Sequence, residues 1–80
     1  MKISVRYFAR LREDVGAERE DIDIFEGARV DDAIRLLSER HGIDIGSFPI
    51  TYSVNCEHSE KGRVLHPGDE LGLLFPSSGG

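Results

Sequence analysis

The sequence predicts an α+β fold, a roll in which one principal helix packs across a small mixed sheet of about five strands. Three observations predict it. Apolar residues alternate at period two near both ends of the chain, whereas the segment 30–41 switches to a spacing of three and four. Gly, Pro and polar clusters then punctuate the chain into the order strand, strand, helix, strand, strand, strand.

Lys2 to Phe8 places Ile3, Val5 and Tyr7 on one face and Ser4 and Arg6 on the other, the pattern of a half-buried strand. Ala9 to Val15 then spaces Leu11 and Val15 one helical turn apart, and Gly16 stands where a left-handed stop falls, so a short helical turn is expected. Alternation returns from Glu18 to Phe25 through Ile22 and Ile24. Two strands around a short connection predict an antiparallel pair.

From Val30 to His41 the apolar residues Val30, Ala33, Ile34 and Leu37 share a helical face, with Asp31, Asp32, Arg35 and Glu39 elsewhere. This is the main helix. Acids at its start and Arg40 and His41 at its end complement the macrodipole, and Gly42 supplies the stop. The N-cap position holds Arg29, which is not a capping residue.

Residues 43–49 read as a connection, and Thr51 to Val54 as a short strand with Tyr52 and Val54 on one face. The polar run from Asn55 to Gly62 is expected to turn and lead into a brief strand at Arg63 to Leu65. His66-Pro67-Gly68-Asp69 is a turn, since Pro presets φ and Gly admits positive φ. Leu71 to Phe75 forms the last strand, apolar on both faces apart from Gly72, as a central strand covered on both sides would be.

Size and composition narrow the function. Eighty residues make one domain, 1–80, and a chain this short buries only about 60% of its extended surface, so a deep substrate cavity would consume its own core. Chemistry is expected at an edge or a tail. With 39% apolar and 31% charged residues the chain reads as a soluble globule. Its net charge of −5, with arginines scattered among carboxylates, excludes a nucleic-acid footprint. No signal peptide or membrane-length apolar run is evident, and the single Cys56 fits a reducing compartment, so the expected location is the cytoplasm.

The chain ends Phe75-Pro76-Ser77-Ser78-Gly79-Gly80, directly after its most apolar strand. Residues 76–80 extend at most about 18 Å, enough to enter a neighbouring protein's active site while the body stays outside. This segment is read as a flexible functional tail. Pro76 ends the ladder, Ser77 and Ser78 add little bulk, and glycines lacking Cβ can thread a narrow channel behind the α-carboxylate of Gly80. Glycine pairs at this position arise by chance in about one chain in 200, which favours a functional end over a frayed one. A carboxylate needs activation before it reacts, and the sequence carries no phosphate-cradling loop, so another protein must supply it.

The markers Phe8-Ala9-Arg10-Leu11-Arg12-Glu13, Val54-Asn55, Pro67-Gly68-Asp69-Glu70-Leu71 and the tail, in this order and spacing, make the chain resemble the MoaD-like small subunits of molybdopterin synthase. These belong to the MoaD/ThiS ubiquitin-like sulfur carriers. The resemblance spans the whole chain and implies a β-grasp fold. It further implies that an E1-like adenylating enzyme uses ATP to activate Gly80, that a sulfur donor protein converts it to a thiocarboxylate, and that a MoaE-like large subunit receives the tail. The carrier is non-catalytic alone and binds no cofactor itself. By position, Gly80 reacts, while Phe8, Arg12, Leu73, Leu74, Phe75, Pro76, Ser77, Ser78 and Gly79 contact partners.

Phe75 replaces a proline common in those relatives and Ser77 an aliphatic residue, and both changes bear on the choice of acceptor. The same resemblance admits conjugation through Gly80 to lysines, of which the chain has Lys2 and Lys61, or sulfur delivery for thiamine or tRNA thiolation. A binding module that merely ends in glycine is the remaining class.

Two other constellations read as structural. Cys56-Glu57-His58 has only His41 and His66 as further nitrogen donors, at no recognisable zinc spacing, so no metal site is expected. The pairs Asp31-Asp32 and Asp69-Glu70 sit where acids cap and solvate. Of Leu73, Leu74 and Phe75, alternation on a strand buries at least one and turns another toward an interface.

Overall fold

A computed structural model of the chain describes residues 1–76. Strand β1 (Lys2–Tyr7) carries Ile3, Val5 and Tyr7 inward, all essentially without solvent exposure. Helix α1 (Ala9–Val15) turns the chain back and stops at Gly16, whose left-handed backbone lets its N–H bond the Arg12 carbonyl at 3.0 Å. Strand β2 (Arg19–Asp23) then pairs antiparallel with β1, setting Ile22 opposite Ile3 and Glu20 opposite Val5.

Helix α2 (Val30–His41) occupies the span its periodicity predicts, with Val30, Ala33, Ile34 and Leu37 buried. Arg29 contributes no side-chain cap; instead the Asp32 carboxylate accepts the Arg29 backbone N–H at 2.8 Å. That is the reciprocal half of a capping box, supplied by the acid in the first turn. A 3₁₀ turn at Ile45–Ser47 lies within the expected connection and buries Ile45.

Strands β3 (Thr51–Val54), β4 (Glu57–Ser59) and β5 (Glu70–Leu74) complete a five-stranded sheet of order β2-β1-β5-β3-β4. The central pair β1 and β5 is parallel, and the other neighbours are antiparallel. The inward residues of β1, β2, β3 and β5 share one core with the apolar stripe of α2, closed by Leu11, Ala28, Ile45 and Leu65.

Two expectations are corrected. The fourth strand lies at Glu57–Ser59 rather than at 63–65, where Val64 makes only an isolated bridge to Arg29. Asn55 and Cys56 both adopt positive φ, 51° and 69°, between the paired Val54 and Glu57. A two-residue turn with both centres left-handed closes a tight hairpin at once. Cys56, in place of the usual glycine, hides that turn. The last strand is central as expected, yet among the described residues its cover is one-sided. Leu71 and Leu73 are buried against the α2 layer, while Leu74 is only half-buried.

Candidate functional site

The uncovered face of the sheet holds an open cleft of about 480 Å³ beside the root of the tail. Register assembles it. Gly72 of β5 lies opposite Arg6 of β1 and Ser53 of β3, so these side chains leave the sheet on the same face as Leu74 and Thr51. Phe8 borders one side, Cys56 and His58 of the β3–β4 hairpin the other, and Phe75 and Pro76 the end. Gly72 keeps the floor low: a Cβ there would stand 2.5 Å from Ser53 Oγ and 3.7 Å from the Phe8 ring.

Charge is balanced across this floor. The Arg6 guanidinium lies 5.1 Å above the Phe8 ring. Arg19 Nη2 donates to Glu70 Oε2 at 3.0 Å, tying β2 to β5. At the tail end, Phe75 packs edge-to-face on Phe48 with centroids 6.2 Å apart, and the Arg10 guanidinium lies 5.1 Å from the Phe48 centroid. The direction in which the chain leaves the sheet is therefore set by an aromatic pair and a cation.

The hairpin is clasped to β5. Asn55 accepts the Glu70 N–H at 3.0 Å on its side-chain oxygen, donates its own N–H to the Glu70 carbonyl at 2.8 Å, and donates its side-chain amide to Asp69 Oδ1 at 2.9 Å. Asp69 also accepts the His66 N–H at 2.8 Å. Val54-Asn55 and Pro67-to-Leu71, distant in sequence, thus form one structural joint that positions the cleft.

The ThiS family model matches residues 5–80. The chain belongs to the ThiS family. A human molybdopterin synthase sulfur carrier subunit is 31% identical over 99% of this chain and 94% of its own length. Among solved structures, a putative molybdopterin converting factor subunit 1 of Pyrococcus furiosus superposes with a TM-score of 0.86 at 30% identity, covering 96% and 99% of the two chains. SAMP1 of Haloferax volcanii, a small archaeal modifier protein by name, gives 0.85 at 29%, covering 100% of both. The fold is the ubiquitin-like β-grasp, as the resemblance implied.

Of the residues expected to contact partners, this ThiS-family structure gathers Phe8, Leu74, Phe75 and Pro76 at the cleft. Leu73 is corrected: at 0% exposure it belongs to the core, since alternation turns it toward α2. Arg12 is exposed on α1 but does not line the cleft; Arg6 does, and Arg10 lies over the Phe48 ring that packs on Phe75. Ser77, Ser78, Gly79 and Gly80 lie outside the described residues. Sequence reading missed Arg6, Phe48, Ser53 and Gly72. Gly72 was legible from period-two placement beside Leu74, whereas Arg6 and Ser53 reach it only through strand register and the Phe48 contact has no sequence signal.

On the covered face one carboxylate is drawn into a polar cluster. Glu20 follows the same alternation as Ile22 and therefore points under the helix, where Tyr7 donates a short hydrogen bond to its Oε1. His41 Nε2 lies 2.6 Å from the same oxygen and Arg40 donates to Oε2 at 3.4 Å. Burial raises the Glu20 carboxyl, but the Tyr7 and His41 bonds and the charges of His41 and Arg40 outweigh it and hold the group below its ordinary value. Burial, then the Glu20 bond, pushes the Tyr7 phenol above its usual range. No group of three or more His, Cys, Asp or Glu able to hold a metal occurs among the described residues. Neither is any described helix long and apolar enough to cross a membrane.

Proposed function

We propose that this chain is the sulfur-carrying small subunit of a molybdopterin synthase. The observation that carries the reading is the family match running through Gly80, together with the 31% identity to a sulfur carrier subunit over nearly the whole chain. The geometry is consistent with it. Strand β5 is the central strand of the sheet and is followed by Phe75 and Pro76, so the tail follows a strand paired on both sides while the cleft beside it offers a docking face.

In this reading an E1-like enzyme binds the open face and draws the tail into its site. The Gly80 carboxylate attacks the α-phosphate of ATP, pyrophosphate leaves, and the carboxyl becomes bonded to AMP. A sulfur donor protein then supplies a hydrosulfide equivalent that displaces AMP and leaves a thiocarboxylate. A MoaE-like large subunit receives the same tail, and the sulfur passes to a dithiolene position of molybdopterin. The chain's own residues bind and orient; the electrophilic activation belongs to the partner.

The test is mass spectrometry of the purified chain after incubation with the activating enzyme, ATP and a sulfur source. Exchange of one oxygen for sulfur at Gly80, absent when Gly80 is deleted, is the expected result. A chain that is adenylated yet never gains sulfur removes the carrier reading. The likeness to SAMP1 favours a second reading, conjugation of Gly80 to protein lysines. A cellular digest with Gly-Gly remnants that vanish on deleting this chain supports it. With only Lys2 and Lys61 available for chain growth, single attachments are expected.

A further inference from the structure

The register places the tail root and the end of β2 at opposite ends of the sheet, because Tyr7 lies beside Leu73 while Lys2 lies beside Asp23. Those ends are separated by the length of β1, about 17–20 Å. At the far end Phe25 is 61% exposed and is the one large apolar side chain so exposed among the described residues. Scattered exposed apolar residues carry no message. Here, however, Phe25 borders a groove of about 310 Å³ between the end of β2 and α2, with Leu36 on the helix side.

The groove has the features of a strand acceptor. β2 is the terminal strand of the sheet, and among the described residues nothing pairs with its outer edge. On the helix, Asp32, Arg35, Leu36 and Glu39 recur at spacings of three and four and line a single face. The lining is net acidic: Asp23, Asp32 and Glu39 stand against the one lining cation, Arg35, which Asp32 engages at 3.7 Å. A strand edge provides backbone hydrogen bonds, Phe25 and Leu36 an apolar anchor, and the rim a preference for cations.

We propose that the groove between the β2 edge and α2 is a second binding surface that takes an extended basic peptide segment of a partner protein, added as a sixth strand beside β2. Charge complementarity decides the occupant. A second copy of this chain, with its net charge of −5, meets like charge there. The surface stays free while the tail is held in another protein's site, so a partner can hold the carrier or its conjugates without blocking Gly80. The inference does not rest on which acceptor the tail serves.

The test is a titration of the ¹⁵N-labelled full chain with a synthetic octapeptide, alternating Val and Ile in the middle with two lysines at each end. Saturable shifts confined to 19–25 and the 32–39 face of α2 are expected, with affinity falling several-fold as ionic strength rises from about 0.05 to about 0.5 M. Phe25→Ser, at an exposed position that keeps the fold, is expected to weaken binding about tenfold or more, the loss of one aromatic anchor. Asp23→Lys is expected to weaken it mainly at low salt, and deletion of residues 77–80 to leave it unchanged. Shifts at Phe8 and Leu74 instead, equal binding of a glutamate-flanked peptide or by Phe25→Ser, salt-independent binding, or no saturation at millimolar peptide would each overturn the proposal. So would concentration-dependent self-association through Phe25. Sulfur exchange at Gly80 is read separately in the same Phe25→Ser protein, so failure of this surface and failure of the carrier reading are distinguishable.

Discussion

The two faces of β5 do different work with adjacent residues. Leu71 and Leu73 face α2 and carry no exposure, whereas Gly72 and Leu74 floor an open cleft whose walls are Phe8, Ser53 and the hairpin. The covered face is apolar apart from Ser59 and the Glu20 cluster at its rim; the open face mixes Arg6, Ser53, Thr51 and Glu70 with a few apolar groups. One strand thus anchors the core and presents a surface, and the division follows from the pleat alone. The tail begins where both roles meet.

The largest effect should come from breaking the covered face. Leu73→Ala removes a fully buried side chain at the centre of the sheet and is expected to cost about 2–5 kcal/mol, read as a lower urea midpoint with an unchanged slope. Leu74→Ala, one residue on, is expected to cost only about 1 kcal/mol of stability. It should nonetheless weaken binding to the activating enzyme or large subunit about tenfold or more, if Leu74 anchors the docking face. Equal stability losses from the two substitutions would erase the distinction between the faces.

Next in size is the polar exception. Glu20 is held charged in the fold below its ordinary value of 4.5, so the stability it contributes is present above that pH and is lost as pH falls through the lower folded value. The raised phenol of Tyr7 acts at the other end, contributing below pH 10.0 and losing its share as pH climbs beyond it. Glu20→Gln is expected to cost about 1–2 kcal/mol at neutral pH and to flatten the acid limb of a plot of unfolding free energy against pH. An acid limb as steep in the variant as in the parent would assign that sensitivity to other carboxylates.

How much of this was legible follows from the range of the interactions. Periodicity located α2 to the residue, because its stripe and both terminal charges are local signals, and it located β1, β3 and the one-sided burial of Ile3, Val5 and Tyr7. The hairpin escaped because its turn depends on Cys56 accepting a positive φ, which composition does not announce. The open face was half legible. Leu74 and Phe8 stand out as apolar residues, but Arg6 and Ser53 join them only through strand register, and Phe48 only through the packing of Phe75. The Asn55 clasp shows a further difference: Val54-Asn55 and Pro67-to-Leu71, which carried the resemblance, hold the scaffold.

The smallest predicted effect separates two neighbouring arginines on α1. Sequence position selects Arg12 as a docking residue; the structure brings Arg10 over Phe48, and through it to Phe75 at the tail root. A partly exposed cation–π contact contributes about 0.5–1 kcal/mol, so Arg10→Ala should lower the rate of sulfur loading at subsaturating activating enzyme by roughly two- to fivefold, with little change in thermal stability. Arg12→Ala should leave loading unchanged if the cleft and tail root alone are read by the partner. The reverse outcome, a loss with Arg12→Ala and none with Arg10→Ala, would extend the open face around α1 and make the Phe48–Phe75 contact a matter of folding only. The pair therefore tests whether the boundary between the two faces runs along β1 or beyond it.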